Sequence, residues 1–200
     1  MKILAVSDLE SKYLYDFYTP GRLADYDLIL SCGDLKAKYL EFLATMARCP
    51  VLYVRGNHDD RFLSAPPEGC ICIENQIYEY QGVRILGLGG SYRYRPGDNV
   101  YTEKQMKHRI YRMCLQLWRK KGFDIMLTHA PAFGVNDMDS LSHRGFECFH
   151  YLLEKYKPKF FIHGHVHMSY NPRMPRKVKY GDTTVINAYE YCELDFGGEK

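Results

Sequence analysis

Acid, amide and imidazole side chains recur in this 200-residue chain where apolar runs give out. Asp8 and Glu10 follow "KILAV" (2–6) and stand two positions apart, so in an extended chain they point the same way. Like charges so placed raise each other's pKa and repel unless a cation sits between them. "SCGD" puts Asp34 after the next run, and "RGNHDD" puts Asn57, His58 and Asp59 after a third. "THAP" puts His129 after a later run, and "IHGHVH" puts His165 and His167 after another.

Each piece alone has an ordinary explanation. Gly-Asp is a common turn, an asparagine caps helices, and a lone histidine is usually a hydrogen-bonded core or loop residue. His165 and His167 share one side of an extended segment, which is a stronger signal. Strand ends in open α/β sheets are where sites gather, and five runs here each deliver Asp, Glu, Asn or His. The joint reading is a metal site. Three carboxylates, one amide and three imidazoles exceed the needs of one tetrahedral ion and suit two ions about 3.5–4 Å apart that share a carboxylate. The mixed N/O donor set without thiolates favours Mn, Fe, Zn or similar divalent metals over Ca or Mg.

The elements that must position these residues follow from the hydrophobic pattern. "KILAV", "DLILSC" (27–32), "VLYVR" (51–55), "RILGLG" (84–89), "DIMLT" (124–128) and "KFFIH" (159–163) read as strands, several of them continuous rather than alternating. Such runs suit strands buried on both faces. Helices are expected over 36–48, 102–122 and 142–157, the second with a capping-box start at Thr102 and Gln105 and an end at Gly122. The stretches 77–88 and 177–191 read as hairpins, and "APPEG" (65–69) as a surface loop. Strand–helix alternation with antiparallel hairpins predicts an α/β fold: a four-layer αββα sandwich of two mixed sheets flanked by helices. With no repeat or linker, residues 1–200 are expected to form a single domain.

Bulk composition is that of an ordinary globular protein, 46% hydrophobic and 26% charged. A formal net charge of +3 is too small to argue for nucleic acid on its own. Seven cysteines without a CxxC pair fit reduced thiols better than a disulfide framework or a zinc knuckle. The start "MKILAVSD" has no signal-peptide pattern, and no apolar run approaches a membrane span, so a cytoplasmic protein with no membrane partner is expected.

The motifs "GD" (33–34), "GNHD" (56–59), "THAP" (128–131) and "GHVH" (164–167), in this order, resemble the calcineurin-like metallophosphoesterase superfamily. The departure is the first motif, Asp8-Leu9-Glu10, where the family has DxH. The resemblance implies a first metal held by Asp8, Asp34 and His167, with Glu10 in the histidine's place. It implies a second metal held by Asn57, His129 and His165, with Asp34 bridging. It further implies a metal-bridging hydroxide attacking phosphorus in line, with His58 as the catalytic histidine that protonates the leaving oxygen or stabilises its charge. Glutamate at position 10 favours oxygen-loving Mn or Fe over Zn, or else marks a first site that is weak or empty. Arg61 either grips a phosphate or is a solvated loop arginine. Asp137 and His143 are candidates to orient ligands from behind, though a helix start explains His143 as well. His163, His108 and His150 read as structural.

The function expected on this resemblance is hydrolysis of a small phosphomonoester or phosphodiester. One alternative is a nuclease using the basic and tyrosine residues of "YRYRP" (92–96) and "RMPRKVKY" (173–180). The other is a non-enzymatic protein-binding scaffold, like the retromer subunit that shares this fold with a degraded metal site. Intact "GNHD" and "GHVH" argue against the scaffold.

Overall fold

The computed structural model describes residues 1–170 and 173–197. In chain order its first elements are β1 (Lys2–Ser7), β2 (Leu28–Ser31), α1 (Ala37–Met46), β3 (Val51–Tyr53) and β4 (Cys70–Cys72). Then come β5 (Gln76–Tyr80), β6 (Val83–Leu88), β7 (Ser91–Tyr92), β8 (Val100–Tyr101), α2 (Glu103–Arg112) and α3 (Cys114–Arg119). The last are β9 (Ile125–Thr128), α4 (Cys148–Tyr156), β10 (Phe160–His163), β11 (Lys177–Tyr180), β12 (Thr183–Asn187) and β13 (Glu190–Asp195). Single 3₁₀ turns cover Asp60–Leu63 and Leu141–His143.

Two mixed sheets result, ordered β13-β1-β2-β3-β4 and β11-β12-β10-β9-β6-β5. β1, β2, β3 and β4 run parallel in the first, and β6, β9, β10 and β12 run parallel in the second. The two expected hairpins are the antiparallel pairs β5–β6 and β11–β12. The chain then leaves the second sheet, and β13 pairs antiparallel with β1 in the first.

Alternate residues of each strand divide between three cores, which is why the strands read as continuous. Ile3, Ala5, Leu28, Leu30, Leu52, Ile125, Leu127 and Ile162 meet between the sheets. Leu4, Val6, Ile29 and Tyr53 face outward onto Tyr39, Leu40 and Leu43 of α1. Leu86, Met126 and Phe161 face outward onto Met106, Leu117 and Phe149 of the other helices. The layering is the αββα sandwich expected from the pattern. Cutting one buried core leucine back to alanine typically costs ~2–5 kcal/mol, so the sheets form a stiff platform for the loops at their ends.

Two helices differ from expectation. The 102–122 segment breaks at Met113, because α2 and α3 are tied separately to the sheet edge. Arg109 donates to Asn75 Oδ1 (2.8 Å) and Glu74 Oε2 (2.5 Å), and Gln116 Oε1 accepts from the Ile77 amide (3.1 Å). The 142–157 segment is α-helical only from Cys148, after the 3₁₀ turn that ends at His143, and there the Glu103 carboxylate accepts from the amides of Glu147 (3.2 Å) and Cys148 (2.7 Å). That cap comes from a different helix. The Thr102–Gln105 capping box is present as read. All seven cysteines are free thiols. Among the described residues, no helix is long and apolar enough to cross a membrane.

Candidate metal centre

The carboxyl ends of β1, β2, β3, β9 and β10 are followed, within four residues, by Asp8, Asp34, Asn57, His129 and His165. Their loops are tight. Asp8 (φ 63°), Asp34 (φ 56°) and His165 (φ 67°) hold left-handed backbone, which costs non-glycine residues on the order of 1–3 kcal/mol each and tends to cluster at functional sites. Gly33, at φ +96°, has no room for a side chain, since a Cβ would overlap the Gly56 amide nitrogen. Gly164 is equally confined, by Ser7 Oγ. These contacts press loops from both sheets together.

At the centre lies His129, fully buried. Its Nδ1 donates to the Cys32 carbonyl (2.8 Å), which leaves Nε2 facing Asn57 Oδ1 at 2.9 Å and Asp34 Oδ2 at 3.4 Å. The Asn57 amide is oriented by its Nδ2, which donates to Tyr94 Oη (3.2 Å). A neutral His129 would thus oppose its lone pair to two oxygen acceptors, an arrangement that calls for a positive species between them. Ligand atoms of Asp34, His129 and His165 all lie within 4.8 Å of one another. The His165 Nε2 donates to the Ser142 carbonyl, leaving Nδ1 as that ring's lone pair. Asp8 Oδ2 accepts from the His165 amide (2.9 Å), whereas Asp8 Oδ1 is buried with no hydrogen-bond partner. The His167 Nε2 stands 3.7 Å from Asp8 Oδ1, an electrostatic contact too long for a hydrogen bond. An orphaned carboxylate oxygen beside imidazoles and a second carboxylate fits a cation of borderline softness.

The electrostatics agree. Burial opposes the proton on His129, yet the facing Asp34 carboxylate outweighs it and raises the pKa to about 9. Burial pushes Asp34 up, but the charge of His129, its side-chain hydrogen bond and the His58 amide hold it at about 2. Asp8 is likewise driven up by burial and held down overall by His167 and His129. His165 is neutral because burial carries it down to about 3. The pocket therefore keeps two carboxylates charged and seeks positive charge.

Of the remaining sequence candidates, Glu10 pairs with Lys36 (Oε2–Nζ 3.3 Å) on the wall of a cleft that Asp8 and Asp34 also line. The exposed His58 donates its amide to Asp34 Oδ1 (2.8 Å), and its ring Nδ1 lies 3.4 Å from an Arg95 NH₂ group. Arginine only donates, so Nδ1 accepts and the ring's N–H sits on Nε2. Arg61 is exposed and lines an adjoining cleft. His143 packs 5.2 Å from the His165 ring (centroid to centroid), whereas Asp137 is turned to the Gly145 amide (3.1 Å) and shapes the loop. His163 is buried, its Nδ1 donating to the Gly164 carbonyl (2.9 Å), and His108 and His150 lie on α2 and α4.

Residue-level reading missed three side chains. Asp59 Oδ2 accepts from the amides of Gly56 and Asp34 (both 2.8 Å) and so locks the loops after β2 and β3 together. Burial and the neighbouring Asp34 charge raise Asp59 to about 6. Tyr94 and Arg95 reach over from the β7–β8 ribbon, with Arg95 donating to the Asn57 carbonyl (3.1 Å) and to Tyr94 Oη (3.1 Å). Their only sequence signal was the basic–tyrosine stretch 92–96.

A family model described as calcineurin-like phosphoesterase matches residues 1–169, and the chain belongs to that family. It is 24% identical over 178 residues to an uncharacterized protein of Haemophilus influenzae, covering 75% of this chain and 77% of that one. It is 26% identical over 127 residues to a UPF0046 protein of Caenorhabditis elegans, covering 60% of this chain but only 41% of that relative's length. A crystal structure of 15% identity superposes with a TM-score of 0.68 over 97% of this chain and 94% of that one, a likeness of fold.

Proposed function

We propose that the protein is a metal-dependent phosphoesterase that hydrolyses a small phosphomonoester or phosphodiester at a dinuclear centre. The observation that carries this is Asp34, a nearly buried carboxylate that touches His129 with one oxygen and the His58 amide with the other. One ion would be held by Asp34, Asn57, His129 and His165, the other by Asp8, Asp34, His167 and Glu10. Divalent ions of the Mn, Fe or Zn type, when bound, supply an acidified water and positive charge for the phosphoryl oxygens.

The chain's own residues supply position and a hydrogen-bond donor. Asp59 ties the Asp34 and Gly56 backbones together, so His58 is fixed relative to the ligands. Arg95 occupies His58 Nδ1, so Nε2–H is the group that meets the leaving oxygen. One water is consumed. Its oxygen bonds to phosphorus, the bond from phosphorus to the leaving oxygen breaks, the Nε2–H hydrogen bond stabilises the charge on that oxygen, and a proton released by the attacking water ends on it through solvent.

Metal analysis of purified protein, combined with hydrolysis of p-nitrophenyl phosphate and bis-p-nitrophenyl phosphate before and after chelation, tests the proposal. Up to two ions per chain and activity that vanishes on chelation and returns with Mn are expected. Unchanged activity in metal-free protein overturns it.

A further inference from the structure

Two clefts meet along Asp34 and Lys36, and their charges differ. One, of about 360 Å³, is lined by the acids Asp8, Glu10, Asp16 and Asp34 against Lys12 and Lys36. The other, of about 530 Å³, is lined by Lys36, Lys38 and Arg61 with Leu35 and Phe62, and His58 stands on its wall. The acids of this second cleft, Asp34 and Asp59, are already engaged by His129 and by backbone amides. Its cations are exposed, and neither Lys38 nor Arg61 has an ion-pair partner among the described residues.

His58 fixes which part of a substrate lies here. A histidine whose Nε2–H meets the leaving oxygen must be within hydrogen-bond reach of it, so the rest of the leaving group extends along the wall His58 lines. An uncharged alkyl leaving group would use the apolar Leu35 and Phe62 and leave two cations without a partner. A leaving group with its own phosphate would use both.

Resting on the phosphoesterase reading, we propose that the cleft of Lys38 and Arg61 is a leaving-group subsite. Its substrates are organic phosphates whose leaving group bears a second phosphate. Cleavage of 1,3-propanediol bisphosphate would give inorganic phosphate and 3-hydroxypropyl phosphate, with one water consumed and the second phosphate untouched.

The test compares 1,3-propanediol bisphosphate with n-propyl phosphate on the metal-loaded protein at fixed ionic strength. The bisphosphate is expected to have at least tenfold higher kcat/KM per cleavable phosphate, and that ratio should fall toward one in the double variant Lys38→Ala/Arg61→Ala. In parallel, calorimetry follows 3-hydroxypropyl phosphate binding to metal-free protein, expected to weaken at least fivefold in the same variant. A wild-type ratio near one, with both esters cleaved, overturns the subsite and leaves the phosphoesterase reading standing. If neither ester is cleaved, that reading falls and the binding measurement decides alone. Binding that the variant weakens upholds the anion subsite, and binding that is absent or unaltered overturns it.

Discussion

The two halves of the proposed metal centre are built differently. Around His129 the donors are buried and each is fixed by a further bond: His129 by the Cys32 carbonyl, Asn57 by Tyr94, His165 by Ser142, and Asp34 by the His58 amide. Around Asp8 the partners are looser. His167 is one-third exposed and stands 3.7 Å away, and Glu10 rests on Lys36, a residue almost wholly in water. Both halves sit at the ends of buried strands, so burial of the platform does not by itself organise a ligand set. The difference lies in whether a second bond holds each donor in place, the kind of support that outer-sphere partners give metal ligands.

The severest way to break this comparison is to remove the group both halves share. Asp34→Asn is expected to lower kcat/KM by roughly a thousandfold or more and to reduce metal content in both halves, since one carboxylate neutralises both ions. Two ions retained per chain, counted by elemental analysis, would show that the halves do not share it. His58→Ala separates chemistry from binding: kcat should fall roughly a hundredfold with metal content intact. The loss should shrink for substrates with acidic leaving groups, and a loss equal across a leaving-group series would reassign His58 to ligand support.

Acidity distinguishes the halves more finely. A ligating imidazole must be neutral, and His129 keeps its proton up to about 9 in the metal-free protein. Filling the buried half below that pH therefore expels a proton. Its affinity should rise about tenfold per pH unit from neutrality toward 9 and then level. Calorimetry in two buffers of different ionisation enthalpy near neutral pH should register about one proton released, and binding without release would contradict the arrangement at His129. The smallest effect belongs to Glu10→Ala, which should weaken the open half roughly tenfold and leave the buried half unchanged. Glu10→His should shift the open half's preference toward Zn, because imidazole is softer than carboxylate. Identical metal stoichiometry and selectivity in all three proteins would mean that Glu10 serves Lys36 alone.

Much of this architecture can be read from sequence because two periodicities coincide. Strands buried on both faces produce unbroken apolar runs, and the first Asp, Asn or His beyond each run marks a loop at one edge of a sheet. Asp8, Asp34, Asn57, His129 and His165 stand out for that reason. The break at Met113 left no such mark, since no glycine or proline interrupts 103–121 and the helical periodicity continues through it. It depends on Gln116 and Arg109 gripping the edge of a distant hairpin. The late start of α4 depends in the same way on a carboxylate 45 residues earlier. Tyr94 and Arg95 were hidden because a two-strand ribbon with an irregular loop has no pattern that says what it covers, and Glu10 because a carboxylate two residues from another fits a ligand and a salt bridge alike.

The chain's return from β12 to β13 has a consequence for cooperativity. β13 fastens the two sheets covalently along one side, while the donors at their ends come from both: Asp8, Asp34 and Asn57 from one sheet, His129, His165 and His167 from the other. An ion seated there is a cross-link between the halves of the sandwich, so separating the sheets means releasing it. Each occupied site would add RT ln(1 + [M]/Kd) to global unfolding, about 2.7 kcal/mol when free metal is a hundredfold above Kd. Thermal stability then becomes a gauge of site occupancy, readable without any substrate.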